Sequence, residues 1–170
     1  MTILFAILMI MPYSQKYCLV HFVDLVDKEY QFDMSDWPVH ITIADVFAID
    51  TNIEPRLSHL CSKSTPFTIT ATDDLLLGEM PVMLFDESPE LLQLHMRLVS
   101  LLEANGVKFN HPEFTKAGFI AHSTIQRGRR LHSGDQINVD SLSLIDMFPD
   151  SDWQQRKVIA SFKLKNQTAS

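Results

Sequence analysis

Apolar side chains dominate positions 1–12 almost without interruption and stop at Pro12-Tyr13-Ser14. A continuous apolar run closed by a turn signal reads as a buried strand. Ser14 can then cap a helix in which Cys18, Phe22, Leu25 and Val26 share one face, although Leu19-Val20 and Phe22-Val23 also suit a strand. The acidic stretch of Asp24, Asp27, Glu29, Asp33 and Asp36, ending at Trp37-Pro38, reads as a solvated helix end and loop. Residues 39–45 alternate as a strand does, residues 54–63 suit a short helix, and residues 67–72 and 81–85 read as strands. Ser88, Pro89 and Glu90 then form a helix start: an N-cap hydroxyl, a proline in the first helical position and an acid at the positive end of the dipole. Leu91, Leu94, His95, Leu98, Leu101 and Leu102 give that helix one apolar face, and Asn105-Gly106 ends it. Three further strands are expected over 118–125, 137–145 and 157–164, the last with Val158, Ala160, Phe162 and Leu164 on one side. Residues 146–155, with Pro149 and three aspartates, read as an exposed loop. The order of elements is that of an α+β protein.

Two of the predicted strands carry the same polar pattern, His40-Ile41-Thr42-Ile43 and His122-Ser123-Thr124-Ile125. Residues i and i+2 of a strand face the same way, so His40 projects with Thr42 and His122 with Thr124. Val39, Ile41 and Ile43 point to the other, apolar face. The second strand has Ser123 on that side, which suits an edge or bulged strand or a hydroxyl bonded to backbone. An imidazole beside a hydroxyl can hold a phosphate oxygen and move a proton. One such pair is weak evidence. Two, on strands in different halves of the chain, suit in-line attack at phosphorus, one histidine taking a proton and the other giving one.

The remaining histidines read differently. His95 lies on an apolar helix face as a satisfied core residue, His21 and His59 fall in predicted helices, and His111 and His132 in loops. No pair has H-x-x-x-H spacing, and Cys18 and Cys61 form no C-x-x-C, so neither zinc nor a disulfide framework is expected. Trp37, Phe47, Phe114, Phe119 and Trp153 are candidates to stack on a nucleobase, against a core role for each.

Composition narrows the classes of function. The 170 residues suffice for one well-filled core or two small lobes sharing one, and 46% hydrophobic with 21% charged residues excludes extended disorder. A net charge of −7 excludes strong nonspecific binding of a nucleic-acid backbone. The nearest basic cluster, Arg127, Arg129 and Arg130, directly follows the second motif and offers a phosphate contact. The apolar start has no lysine or arginine before Lys16 and is too short for a bilayer, so a strand is expected there rather than a leader or a membrane span. With two unpaired cysteines, a reducing, cytoplasmic setting follows as the expectation.

Taken with its motifs, the chain resembles the 2H phosphoesterases, which include the 2′-5′ RNA ligase-like proteins and cyclic nucleotide phosphodiesterases. The likeness lies in the opening strand at 3–12, in Trp37-Pro38-Val39-His40-Ile41-Thr42-Ile43, and in Gly118 through Ile125 followed by Arg127. Ala44-Asp45-Val46-Phe47 lacks the phenylalanine-glycine that often follows the first motif, and Ser123 replaces a more usual apolar residue. The resemblance implies one domain over 1–170, with two pseudo-symmetric α+β lobes, each an antiparallel sheet flanked by helices, around a central cleft. It implies His40, Thr42, His122 and Thr124 as the active-site quartet, Arg127 as a substrate contact, and no metal or cofactor. The expected substrate is a cyclic 2′,3′-type or 2′-5′ phosphodiester on a nucleotide or RNA end, handled by a monomer. Cleavage or ligation of 2′-5′ linkages in longer RNA, and a non-catalytic module that binds phosphate or RNA ends, are the alternatives.

Overall fold

The computed structural model describes residues 15–50 and 52–167. The strand expected at the apolar start and the cap expected at Ser14 lie outside them. Among the described residues nine strands and two helices follow in chain order: β1 (Lys16–Phe22), β2 (Gln31–Asp33), β3 (His40–Phe47), α1 (Ile53–Ser62), β4 (Phe67–Leu77), β5 (Met80–Phe85), α2 (Pro89–Ala104), β6 (His122–Thr124), β7 (Gln136–Val139), β8 (Ser141–Asp146) and β9 (Gln155–Lys163). They form two sheets, of order β2-β9-β8-β1-β3 and β6-β5-β4-β7. Every strand pair is antiparallel. The architecture is the expected α+β one.

The helix from Ser88 forms as its residues dictate. The Leu91 N–H donates to Ser88 Oγ at 3.1 Å, and Pro89 takes the position where a backbone donor is not missed. Leu91, Leu94, Leu98 and Leu102 are buried on one face, each contributing about 1.5–3 kcal/mol by leaving water. They meet Leu57 and Leu60 of α1, Leu19 and Ile41 of the first sheet, and Ile69, Met83 and Val139 of the second. One core therefore ties both sheets to both helices. On the opposite face of the first sheet a smaller cluster gathers Cys18, Val20, Phe22, Phe32 and Trp37.

Residues 16–22 are a strand and not the helix that the spacing of Cys18, Phe22, Leu25 and Val26 suggests. β1 runs between β3 and β8, with Leu19 in the main core and Cys18, Val20 and Phe22 in the small one. Covered on both faces, it shows no polar alternation. His21 accordingly lies in a strand, not a helix, with Nδ1 3.0 Å from the Ser141 carbonyl. Two other expected strands change. The stretch 137–145 is split at Asp140, β7 belonging to the second sheet and β8 to the first. Of residues 118–125 only His122–Thr124 pairs, because two 3-10 turns, Pro112–Phe114 and Lys116–Gly118, precede it.

Candidate active site

Among the described residues β3 is the last strand of the first sheet and β6 the last of the second, and the two pack against one another. This meeting of sheet edges brings the two H-x-T motifs together. His40, Thr42, His122 and Thr124 all line one cavity of about 610 Å³. Ser123, between His122 and Thr124, pairs with Met83 and is buried.

The two imidazoles are held alike. His40 Nδ1 lies 2.8 Å from the Pro38 carbonyl, and His122 Nδ1 lies 2.8 Å from the Ile120 carbonyl, two residues back in each case. A carbonyl can only accept, so Nδ1 carries the hydrogen and Nε2 is left with the lone pair. Their surroundings differ. The Trp37 ring lies 4.4 Å from that of His40, centroid to centroid, and Phe22 meets the same imidazole edge-on at 6.2 Å. Burial among these rings pushes the His40 pKa down to about 4, against the bond to Pro38, and a charge on His122 pushes the same way.

The two threonines keep their hydroxyls near weak partners. The Cys18 thiol, whose pKa burial pushes up to about 12, lies 3.9 Å from Thr42 Oγ1. Thr124 Oγ1 lies 3.5 Å from the Met80 sulfur. A phosphate oxygen is a far better acceptor than a thioether, so each hydroxyl can turn to one at little cost.

Arg127 is not among the residues that line the cavity. Its guanidinium donates to Ser35 Oγ at 2.8 Å, and Arg129 pairs with Asp36 at 3.3 Å, so the loop after β6 is tied to the loop before β3. Arg130 pairs with Asp74. Among the described residues the cavity lining contains no lysine or arginine. Nor do any three His, Cys, Asp or Glu side chains among those residues come together as a metal ion would require.

Of the aromatic candidates, Trp37 packs on His40 and Phe119 on His95, and both also line the cavity. Phe114 lines the cavity and is half exposed, and Phe47 and Trp153 lie outside the lining. His95 is the satisfied core residue its position suggests. Its Nδ1–H donates to the Ile43 carbonyl at 2.7 Å, and its Nε2 accepts the Lys116 N–H at 2.9 Å.

Sequence reasoning misses Asp45. Strict alternation from His40 puts Asp45 on the buried side, with Ile41 and Ile43. A β-bulge intervenes: Val20 pairs with Thr42 and Leu19 with Ala44, which leaves Ile43 as an extra residue. Beyond it the phase is reversed, Ala44 and Val46 are buried, and Asp45 joins His40 and Thr42 in lining the cavity. No residue type in the sequence announces the bulge.

No protein-family model matches the sequence, and no curated protein matches it. Solved structures do. A structure titled as a phosphoesterase superposes with a TM-score of 0.61 at 16% identity, covering 90% of this chain and 99% of its own. LigT of E. coli, complexed with NADP+, gives 0.58 at 18% identity with the same coverages. TT0787 of Thermus thermophilus gives 0.59 at 14% identity, covering 90% of this chain and all of its own. Two antiparallel sheets, their edges meeting where the paired motifs lie, and helices packed on the shared core make this the α+β fold of the LigT-like 2H phosphoesterases.

Proposed function

We propose that the chain is a metal-independent phosphodiesterase that opens a cyclic 2′,3′-type or 2′-5′ phosphodiester on a nucleotide or RNA end. The observation that carries this reading is the matched pair of histidines in one cavity, each with Nδ1–H on a carbonyl and Nε2 left for a substrate. LigT, of similar fold, has been solved with NADP+ and with 3′-AMP, which supports a nucleotide in the cleft.

In this scheme His40, kept neutral by its burial, is the base. Its Nε2 takes a proton from the attacking water as the oxygen bonds to phosphorus. The bond from phosphorus to the ribose oxygen breaks, and His122, in its protonated form, gives that oxygen its proton. Thr42 and Thr124 donate to the non-bridging oxygens. One proton enters the pair and one leaves, and exchange with solvent resets both rings. The imidazoles supply both acid and base, so no metal takes part.

A cleft without lysine or arginine among its described residues favours a small or terminal diester over longer RNA, whose backbone needs a cationic track. The test is hydrolysis of 2′,3′-cyclic nucleotides, ADP-ribose cyclic phosphate and 2′-5′ dinucleotides with EDTA present. His40→Ala and His122→Ala should each lower the rate by a factor on the order of 10² or more. Wild-type rates in both variants refute the mechanism, and retention of nucleotide without turnover identifies a binding module instead.

A further inference from the structure

Both threonine hydroxyls of the cleft have a sulfur for a neighbour, and the two sulfurs differ in what can reach them. Val82 pairs with Thr124, so Met80, two residues along β5, stands on the same face, and the Thr124 hydroxyl donates to its sulfur at 3.5 Å. Met80 is 40% exposed, follows the Gly78-Glu79 turn between β4 and β5, and lines the cavity. Cys18, beside Thr42, is 5% exposed, and burial keeps its thiol protonated, the form that peroxide leaves alone. A thioether has no such protection, because it reacts without losing a proton. The cleft is therefore open to oxidation beside one threonine and closed to it beside the other.

Oxidation changes what Thr124 meets. Hydrogen peroxide gives one oxygen atom to the sulfur: the O–O bond breaks, an S–O bond forms, the sulfur is oxidised by two electrons, and the second oxygen leaves as water with both protons. The thioether is a weak acceptor, so the hydroxyl leaves it for a phosphate oxygen at little cost. A sulfoxide oxygen is a strong acceptor, and rotation of the exposed Met80 side chain brings it to the same hydroxyl. Thr124 then has to break a good hydrogen bond before it can donate to substrate. Among the described residues no other thioether has a motif hydroxyl on it: Met147 lines the cavity against the small core cluster, and Met96, 38% exposed, lies on α2 outside the lining.

We infer that Met80 is an oxidative modification site, at which sulfoxide formation draws the Thr124 hydroxyl away from substrate and lowers turnover reversibly. The inference rests on reading the cleft as a phosphodiesterase site. Reversal takes a dithiol reductant, which is oxidised to its disulfide while the sulfoxide oxygen returns to water.

The experiment treats the protein with hydrogen peroxide, locates the added oxygen by peptide mass spectrometry, and measures kcat/KM for adenosine 2′,3′-cyclic phosphate. With Met80 oxidised the value should fall about 3- to 10-fold, the scale of one neutral hydrogen bond, and methionine sulfoxide reductases with dithiothreitol should restore it. Met80→Leu, which keeps an apolar side chain and removes the sulfur, should start near the wild-type rate and lose nothing to peroxide. In Thr124→Val, which has no hydroxyl to be drawn away, peroxide should leave the residual rate unchanged. An unchanged wild-type rate once Met80 carries the oxygen overturns the inference. So does an equal loss in Met80→Leu or in Thr124→Val, which places the damage elsewhere, and so does a Met80 that stays reduced while Met96 is oxidised. If Met80→Leu does not fold, Met80→Ile replaces it under the same criteria. If the wild-type protein turns over no cyclic nucleotide, the phosphodiesterase reading fails and binding decides the inference separately. Calorimetry with adenosine 3′-monophosphate should then show affinity lost on oxidation of the wild type and kept in Met80→Leu, and equal affinities before and after oxidation overturn it.

Discussion

The imidazole of His95 lies flat on the ring of Phe119, with centroids 3.9 Å apart and planes 8° apart. Through its two nitrogens the same ring joins Ile43, one residue beyond Thr42, to Lys116, in the turn that leads to His122. One α2 side chain thus ties both motif strands to each other. His95→Ala leaves the Ile43 carbonyl and the Lys116 N–H without their partner and opens a cavity beside Phe119. It should cost about 2–4 kcal/mol in urea unfolding. A cost under about 0.5 kcal/mol, the scale of an ordinary surface substitution, would show that the ring is not a tie.

The acid limb of kcat/KM reports the base of the free enzyme. A base works when neutral, above its pKa, and His40 is held down to about 4, so the limb should fall near pH 4 and not near 6.5. Trp37→Ala lets water reach the ring and should move the limb upward by more than about one pH unit. A limb that stays in place would show that Trp37 does not desolvate His40.

Burial depresses the pKa of His21 and His95 as well as that of His40. In the unfolded chain each regains a value near 6.5 and binds a proton that the folded protein refuses. The stability they contribute is therefore complete above about pH 6.5 and is lost as the pH falls toward about 4. Carboxylates with depressed pKa, such as Asp33 and Asp74, lose theirs only below their ordinary value of 3.8. The urea midpoint should fall steadily between about pH 6.5 and about pH 4.5, and a flat profile there would contradict the account.

Gly118 closes the turn before His122, and a Cβ on it would sit 2.0 Å from the Glu113 carbonyl oxygen. Gly118→Ala must push that backbone apart, and Lys116 and Phe119 with it. We expect kcat/KM to fall about 10- to 100-fold, the scale of a misplaced catalytic group, with a smaller loss of stability. Unchanged kcat/KM would show that the turn does not set the position of His122.

Legibility in the sequence follows how local each cause is. Ser88, Pro89 and Glu90 announce α2 because capping is decided within one turn of chain. His40 with Thr42 and His122 with Thr124 are readable because the period of a strand needs no neighbour. β1 misleads because Cys18 and Phe22 suit a period of four as well as of two, and only its place between β3 and β8 decides. Arg127 stands at the expected distance from the second motif, yet Ser35, far away in the chain, decides where its guanidinium lies. Asp45 is illegible for the same reason, since its direction depends on the pairing of β1 with β3.

That pairing makes β3 two half-strands out of phase, joined at Ile43. Removing one residue at the joint would exchange inside for outside along the second half, turning Asp45 into the apolar core and Val46 outward. Substitution at position 45 leaves the phase intact. The strand is therefore rigid toward changes of length and permissive toward changes of side chain, so the cleft lining can vary at one end while His40 and Thr42 stay where they are.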